Sequence, residues 1–312
     1  MTGYTNANFM NIETEVRLMS HSNYEHNVMT LTKHQDDQLE IVSTGKKQSK
    51  YAIVLLHGAV MNYKIMTVFE KYLHDVRLIF INCPGRGQST TLNRKDHDLS
   101  DYATRVNEAL VNIVETEHIE KLAIIGYSMG GLIATKLAGY NTLPITHLIY
   151  LNSAAKIDYK EIRISKLMTE VIKEMTPDTN DGMIKSIPEY VLERGISKKY
   201  KNQKDIDFLN YFAPINAMIT DLQYTLNTNY LDDIDCIQQM PDILFLLGEE
   251  DVIFPNKDSK ETIERFEARG AKVKSIIYPD VGHLDFLRVL DREDDGQLGS
   301  IEYHLNHWLI LE

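Results

Sequence analysis

Cysteine is scarce in this sequence of 312 residues: Cys83 and Cys236 are the only two, and they form no CxxC pair. Two isolated cysteines exclude a disulfide framework and a cysteine-based zinc cluster, and they suit a reducing compartment. Long apolar runs are also missing, because each apolar stretch ends at glycine, proline or a charge within about ten positions. We therefore expect no membrane-spanning segment.

Positive charge is in deficit, with 33 Lys and Arg against 45 Asp and Glu, for a net charge of −12. Such a surface repels phosphate backbones and anionic lipids, so we expect neither a nucleic-acid partner nor a membrane partner. The beginning of the sequence shows no basic segment followed by an apolar one, the pattern of a secretory signal. These features together predict a cytoplasmic protein.

The hydrophobic pattern predicts an α/β fold. Two alternating runs on either side of Asp36 and Asp37 indicate an antiparallel hairpin. Near-continuous apolar runs, typical of strands buried on both faces, follow at residues 51–58, 76–85, 122–128, 145–153 and 242–251. Helical spacing between these runs, for example after Ser100 as a possible N-cap, predicts a mostly parallel central sheet with helices on both faces.

The strand pattern is interrupted at residues 155–238, where amphipathic stretches such as 161–175 and 207–226 replace it. An insertion at the carboxyl edge of a parallel sheet tends to cover the crevice where ligands bind. We therefore expect a helical cap, or lid, at 155–238, a core formed by 27–154 and 239–312, and an N-terminal extension at 1–26.

The strongest motif is GYSMGG at residues 126–131. It follows a predicted strand and begins a predicted helix, which is the context of a nucleophile elbow with Ser128 as the nucleophile. The same glycines would suit an ordinary strand-to-helix turn or a phosphate-binding loop. The sequence has neither the G-x-x-x-x-G-K-[ST] nor the G-x-G-x-x-G pattern of such loops.

A serine nucleophile needs a base, and the base needs an acid. His283 follows the last predicted strand and comes last in the chain order serine, acid, histidine, so it is the predicted base. Asp251 ends the run 242–251 at the same sheet edge and is the predicted acid, with Glu249 and Glu250 as rivals. Asp285 beside the histidine is expected at the surface or at a helix cap.

The oxyanion of an acyl-transfer reaction needs two backbone donors. The first predicted donor is the amide of Met129, directly after the nucleophile. The second is the amide of Ala59 in the segment HGAV at 57–60, with Val60 as a less favoured donor. His57 is expected to make a local hydrogen bond that holds this loop and is not the predicted base.

Five motifs in chain order resemble those of the α/β-hydrolase superfamily: HG at 57–58, PGRGQS at 84–89, GYSMGG at 126–131, GEEDVIFP at 248–255 and VGH at 281–283. The resemblance covers about residues 27–312, and the sequence resembles the capped branch that includes carboxylesterases, monoacylglycerol-lipase-like enzymes and C–C bond hydrolases. It implies the α/β-hydrolase fold, a Ser-Asp-His triad, an acyl-enzyme intermediate and no cofactor. Asn82 stands where many relatives have Asp, at a structural position.

The predicted activity is that of a serine hydrolase acting on a carboxylic ester or similar small-molecule acyl compound. Two alternatives stay open: the same triad used for C–C bond hydrolysis or a lyase reaction, and a binding protein that keeps the triad as a ligand pocket. Ser128 excludes the chemistries that use an Asp nucleophile in the elbow. The sequence does not determine the acyl chain, the scissile bond or the oligomeric state.

An acidic segment at 291–302 follows the spacing of a calcium-binding EF-hand loop, with acids at loop positions 1, 3, 5 and 12 and glycine at position 6. Glutamate at position 3 and glycine at position 9 depart from that pattern. An acidic surface loop before the last helix explains the same residues, so no metal site is predicted.

Overall fold

The structure is a computed structural model, and it describes residues 24–73, 76–158, 181–203, 206–226, 228–254, 256–290 and 298–309. Eight strands form one sheet: β1 (Glu25–Leu31), β2 (Asp37–Gly45), β3 (Tyr51–Leu56), β4 (Arg77–Asn82), β5 (Lys121–Tyr127), β6 (Ile145–Leu151), β7 (Asp242–Gly248) and β8 (Val273–Tyr278). Their order across the sheet is β1-β2-β4-β3-β5-β6-β7-β8.

The strand directions confirm the predicted mostly parallel sheet. β2 pairs antiparallel with both β1 and β4, and the other neighbours are parallel. All six residues of β4 are buried, as are the last five of β3, which explains why these segments are continuously apolar. Parallel strands leave their carboxyl ends at one edge, and the candidate site lies there.

Helices cover the sheet, as the pattern predicted: α1 (Leu99–Glu117), α2 (Met129–Tyr140), α3 (Asp181–Gly195), α4 (Ile215–Thr225), α5 (Leu231–Asp235), α6 (Asn256–Ala268), α7 (Phe286–Val289) and α8 (Ile301–Trp308). A 3₁₀ helix spans Tyr63–Lys71. The predicted N-cap of α1 is wrong: Asp98 caps it, and the Asp101 side chain accepts from the Asp98 amide in a capping box. None of the described helices is long and apolar enough to cross a membrane.

Helices α3, α4 and α5 lie between β6 and β7, within the predicted cap at 155–238, and we call these residues the insertion. The stretch 207–226 is not one helix: a 3₁₀ turn at Phe208–Tyr211 ends before Pro214, and α4 begins after it. Proline lacks the amide hydrogen that a continuous helix would need there. The predicted helical stretch at 161–175 lies outside the described residues, and the domain boundaries stay a prediction.

Candidate active site

Ser128 occupies the turn between β5 and α2 with a left-handed backbone, φ +51° and ψ −119°. Such a conformation costs about 1–3 kcal/mol, so the surrounding structure must hold it. Three hydrogen bonds do so: the Ser128 amide donates to Leu151 O (3.0 Å), and Ser128 O accepts from the Gly131 amide (2.9 Å) and the Ser153 hydroxyl (2.5 Å). The buried serine is therefore presented by a strained, well-supported elbow.

The glycines of the motif are required by close packing. A Cβ on Gly126 would lie 2.6 Å from the backbone of Gly130 and Gly131, and a Cβ on Gly130 would lie 2.3 Å from Leu56 O. Side chains at these positions would push β5, α2 and β3 apart. Because α2 begins at Met129, the Met129 amide is one of the unpaired N–H groups at the positive end of the helix.

Asp251 and His283 meet at the carboxyl ends of β7 and β8. His283 Nδ1 lies 2.7 Å from Asp251 Oδ2, and both side chains are almost fully buried. The other carboxylate oxygen, Oδ1, accepts from the amides of Ile253 (2.9 Å) and Phe254 (2.8 Å). These bonds keep an acceptor facing His283, so Nδ1 carries the hydrogen and Nε2 keeps its lone pair.

The loop that carries His283 is anchored to the elbow. The Tyr127 hydroxyl (3.2 Å) and the Asn152 side-chain amide (2.8 Å) both donate to His283 O. The ring centroids of Tyr127 and His283 lie 5.1 Å apart, so the residue next to Ser128 also packs against His283. Within the part of the chain that is described, the Ser128 hydroxyl makes no hydrogen bond to His283; catalytic hydrogen bonds of this kind often tighten only when the substrate binds.

Asp285 lies at a helix N-cap, one of its two expected positions, but it is not at the surface. It is fully buried, and although it sits at the N-cap of α7 its side chain makes no cap bond. Its Oδ2 accepts instead from the amides of Gly282 (2.9 Å) and Ser197 (2.7 Å), and Oδ1 lies 3.2 Å from Nη1 of Arg288. Asp285 thus ties the histidine loop to the insertion.

The turn after β3 carries the other predicted donor. Among the described residues, no acceptor takes the amides of Ala59 and Met129, so both are available to a ligand. The turn packs against the elbow, because a Cβ on Gly58 would lie 3.1 Å from Ser128 Cβ. The Val60 amide is already used, since it donates to Asp221 Oδ2 at 2.8 Å.

His57 holds this turn, as expected, and is not positioned as a base. Its Nε2 accepts from the Cys83 amide (3.2 Å), so Nδ1 carries the hydrogen and donates to Gly58 O (2.8 Å). Complete burial, together with the nearby Arg86 charge, holds the pKa of His57 well below its usual range. A neutral His57 therefore links the turn to the end of β4.

Sequence reasoning missed a buried ion pair behind this turn, between Arg86 and Asp221 of α4, in which neither side chain is exposed. Burial raises the pKa of Asp221, while the Arg86 charge and the Val60 amide oppose that shift. The sequence offered one signal for this pair: a single acidic residue within the apolar run AMITDL at 217–222. The arginine that pairs with it belongs to the PGRG motif. A buried charge in such a run requires a partner.

The remaining candidates lie outside this cluster. Glu249 is exposed, whereas Asp251 faces the histidine. Asn82 is structural: its Oδ1 accepts from the Tyr63 amide (3.2 Å), and its Nδ2 donates to Glu40 (3.0 Å). Residues 291–297 of the acidic segment fall outside the described residues. In the rest of the described chain, no group of three or more His, Cys, Asp or Glu could hold a metal ion.

The sheet order and the serine elbow define an α/β hydrolase. A family model described as alpha/beta hydrolase fold matches residues 51–288, which is more than half of the chain. The chain therefore belongs to the α/β-hydrolase family, as its motifs predicted. A solved lipase-esterase related protein from Clostridium acetobutylicum shares this fold, with a TM-score of 0.65 and 21% identity over 87% of this chain and 99% of that chain.

Curated relatives include enzymes named as esterases. A pimeloyl-[acyl-carrier protein] methyl ester esterase from Vibrio vulnificus is 24% identical over 75% of this chain and 88% of its own length. A putative 2-succinyl-6-hydroxy-2,4-cyclohexadiene-1-carboxylate synthase from Bacillus subtilis is 36% identical over 28% of this chain. That match spans about a third of the synthase, 31% of its length. The comparisons thus confirm the predicted family, and the esterase names belong to the relatives.

Proposed function

We propose that this protein is a serine hydrolase that cleaves a carboxylic ester or similar acyl compound through Ser128, His283 and Asp251. The observation that carries the proposal is the 2.7 Å hydrogen bond between His283 Nδ1 and Asp251, beside a serine with strained φ and ψ. The esterase names among the relatives agree with it. The substrate is a small molecule with a small-to-medium apolar acyl group, and the compartment is the cytoplasm.

In the first half of the reaction, Ser128 Oγ attacks the carbonyl carbon while His283 Nε2 takes its proton. The amides of Ala59 and Met129 stabilise the oxyanion, each contributing about 3–4 kcal/mol to the barrier reduction. Asp251 keeps the histidine in the required tautomer and stabilises the imidazolium that forms. His283 then protonates the departing alcohol, and an acyl-enzyme remains.

In the second half, His283 removes a proton from water, which attacks the acyl carbonyl; His283 then returns the proton to Ser128 Oγ as the C–O bond breaks, and the carboxylic acid leaves. The insertion at 155–238 acts as a cap over this reaction. Of its apolar side chains, Met218 and Ile219 are buried and Leu209 is exposed. We therefore assign Met218 and Ile219 to the packing of the insertion. We assign the lining of the acyl pocket to other apolar residues of the cap.

Hydrolysis of p-nitrophenyl esters of increasing acyl length tests the proposal. We expect turnover by the wild type with an optimum at short to medium chains, and loss of at least about 10³-fold in kcat in Ser128→Ala. Equal turnover by the wild type and Ser128→Ala would refute the nucleophile.

One relative favours a second candidate, because the Bacillus subtilis protein is named a synthase. In that case the same serine, histidine and acid would catalyse C–C bond cleavage or elimination. A wild type that turns over a β-diketone or enol substrate, and no ester, would support this candidate against ester hydrolysis.

A further inference from the structure

Asp221 is a fully buried carboxylate on α4, in the insertion, and it makes three contacts with the core. Its Oδ2 accepts from the Val60 amide (2.8 Å) and pairs with Arg86, and its Oδ1 accepts from the Tyr102 hydroxyl (3.2 Å). Burying a carboxylate is costly unless each oxygen is satisfied. The insertion therefore provides a charged acceptor directed at the residue after Ala59.

Arg86 also holds this turn through hydrogen bonds. Its Nε donates to Met61 O (2.6 Å) and its Nη1 donates to Pro84 O (2.9 Å), while Nη2 pairs with Asp221. The ion pair thus holds both the amide of Val60 and the carbonyl of Met61. Val60 has φ +59°, a left-handed conformation that a β-branched residue adopts only when its surroundings impose it.

Backbone contacts from the insertion flank the same turn. The Ala213 amide donates to Val60 O (2.8 Å), and the Asn62 amide donates to Tyr211 O (2.8 Å). With Asp221 on the Val60 amide, these bonds use the polar groups around Ala59 and leave the Ala59 amide itself without a protein acceptor among the described residues. The direction of that amide is therefore set by the position of the insertion.

We propose that Asp221 is a positioning residue for the oxyanion hole, through which the described stretch 206–226 of the insertion holds the donor turn at 58–61 in place. The inference rests on the proposed function, because it assigns the Ala59 amide to the oxyanion. A displacement of about 1 Å at a catalytic group can cost about 10²-fold in rate. A purely structural ion pair would instead be replaceable by well-packed apolar side chains without loss of kcat.

Two paired substitutions separate these roles without leaving a lone buried charge. The asparagine pair, Arg86→Gln with Asp221→Asn, removes both charges but keeps a side-chain oxygen that can accept from the Val60 amide. The leucine pair, Arg86→Gln with Asp221→Leu, has a side chain of similar size at 221 and no acceptor. Asp258→Asn is the matched control, since Asp258 is equally buried but accepts from the Asp158 amide instead.

Activity is measured as kcat and KM on a p-nitrophenyl ester. The inhibition constant of phenylboronic acid is measured as well, because the serine adduct of this inhibitor needs the oxyanion donors. The melting temperature reports stability, and hydrogen exchange of the peptide 57–62 reports how firmly the turn is held. For the leucine pair we expect kcat to fall about 10- to 100-fold with little change in KM, and boronate inhibition to weaken in parallel. The peptide should exchange at least about tenfold faster. The asparagine pair should recover most of both properties, and Asp258→Asn should change neither.

Two results would overturn the inference. One is a leucine pair that keeps both the kcat and the hydrogen exchange at 57–62 of the wild type. The other is a loss of kcat in both paired variants that is only proportional to their fall in melting temperature. Failure of the proposed function looks different, because the wild type itself would then hydrolyse no ester and would not bind the boronate. Hydrogen exchange at 57–62 would still decide whether Asp221 holds the turn.

Discussion

Replacing Asp251 by asparagine tests the acid of the site most sharply, because the surrounding amides dictate how the new side chain must lie. Oδ1 of Asp251 accepts from the amides of Ile253 and Phe254, at 2.9 and 2.8 Å. In Asp251→Asn the amide oxygen has to take that place, since an NH₂ group there would face two donors. The NH₂ group then points at His283.

This orientation reverses the histidine tautomer. His283 Nδ1 would have to accept a hydrogen bond from the NH₂ group of the new side chain, so the ring hydrogen would move to Nε2, the atom that must remove the Ser128 proton. The loss of the correct tautomer is worth about 10⁴ in kcat, or about 5.5 kcal/mol of transition-state stabilisation. The shape of the residue hardly changes, so we expect a melting temperature close to that of the wild type.

The assay is steady-state hydrolysis of a p-nitrophenyl ester, with Glu249→Gln and Glu250→Gln as controls. These neighbours were the rival acids, and we expect both controls to stay within about twofold of the wild type. An Asp251→Asn enzyme with kcat within about tenfold of the wild type would refute the tautomer argument. Loss of activity in Glu249→Gln or Glu250→Gln instead would move the acid to that residue.

Two further predictions concern stability. Because the folded protein keeps His57 neutral, with its pKa below the ordinary 6.5, unfolding should become easier as the pH falls below about 6.5. In His57→Gln, urea unfolding followed at several pH values should show an acid-side slope shallower by up to about 1.4 kcal/mol per pH unit, and an unchanged slope would contradict the neutral assignment. Asp285→Ala removes the acceptor of the Gly282 and Ser197 amides and breaks the buried ion pair with Arg288, so urea denaturation should show a loss of about 3–5 kcal/mol in the free energy of unfolding. A loss below about 1 kcal/mol would show that Asp285 does not hold the histidine loop.

The sheet could be predicted from the sequence because strands buried on both faces need continuous apolar runs, whatever they pack against. The run 242–251 illustrates the limit of that signal. β7 ends at Gly248, and the last three residues belong to the loop that presents the acid. Where the final ladder hydrogen bond falls depends on the neighbouring strands, which the local sequence does not encode.

The serine turn and the pairing of His283 with Asp251 could be predicted because chain order and local spacing define them. Asp221 was not, since its role depends on Arg86, which is 135 positions away in the chain. The same limit applies to Asp285: its place near the start of α7 suggested a cap, but a main-chain amide of the insertion is its partner. Contacts between the insertion and the core follow from tertiary packing, so the local sequence gives only a weak signal for them.

The central claim is that Ser128 is an activated nucleophile. Labelling the wild type with a fluorophosphonate probe, followed by mass spectrometry of the peptides, tests it most directly. The account predicts a single adduct on the peptide that contains Ser128, absent from Ser128→Ala and strongly reduced in His283→Ala. A folded wild type that is not labelled, or that is labelled at another residue, would contradict the account.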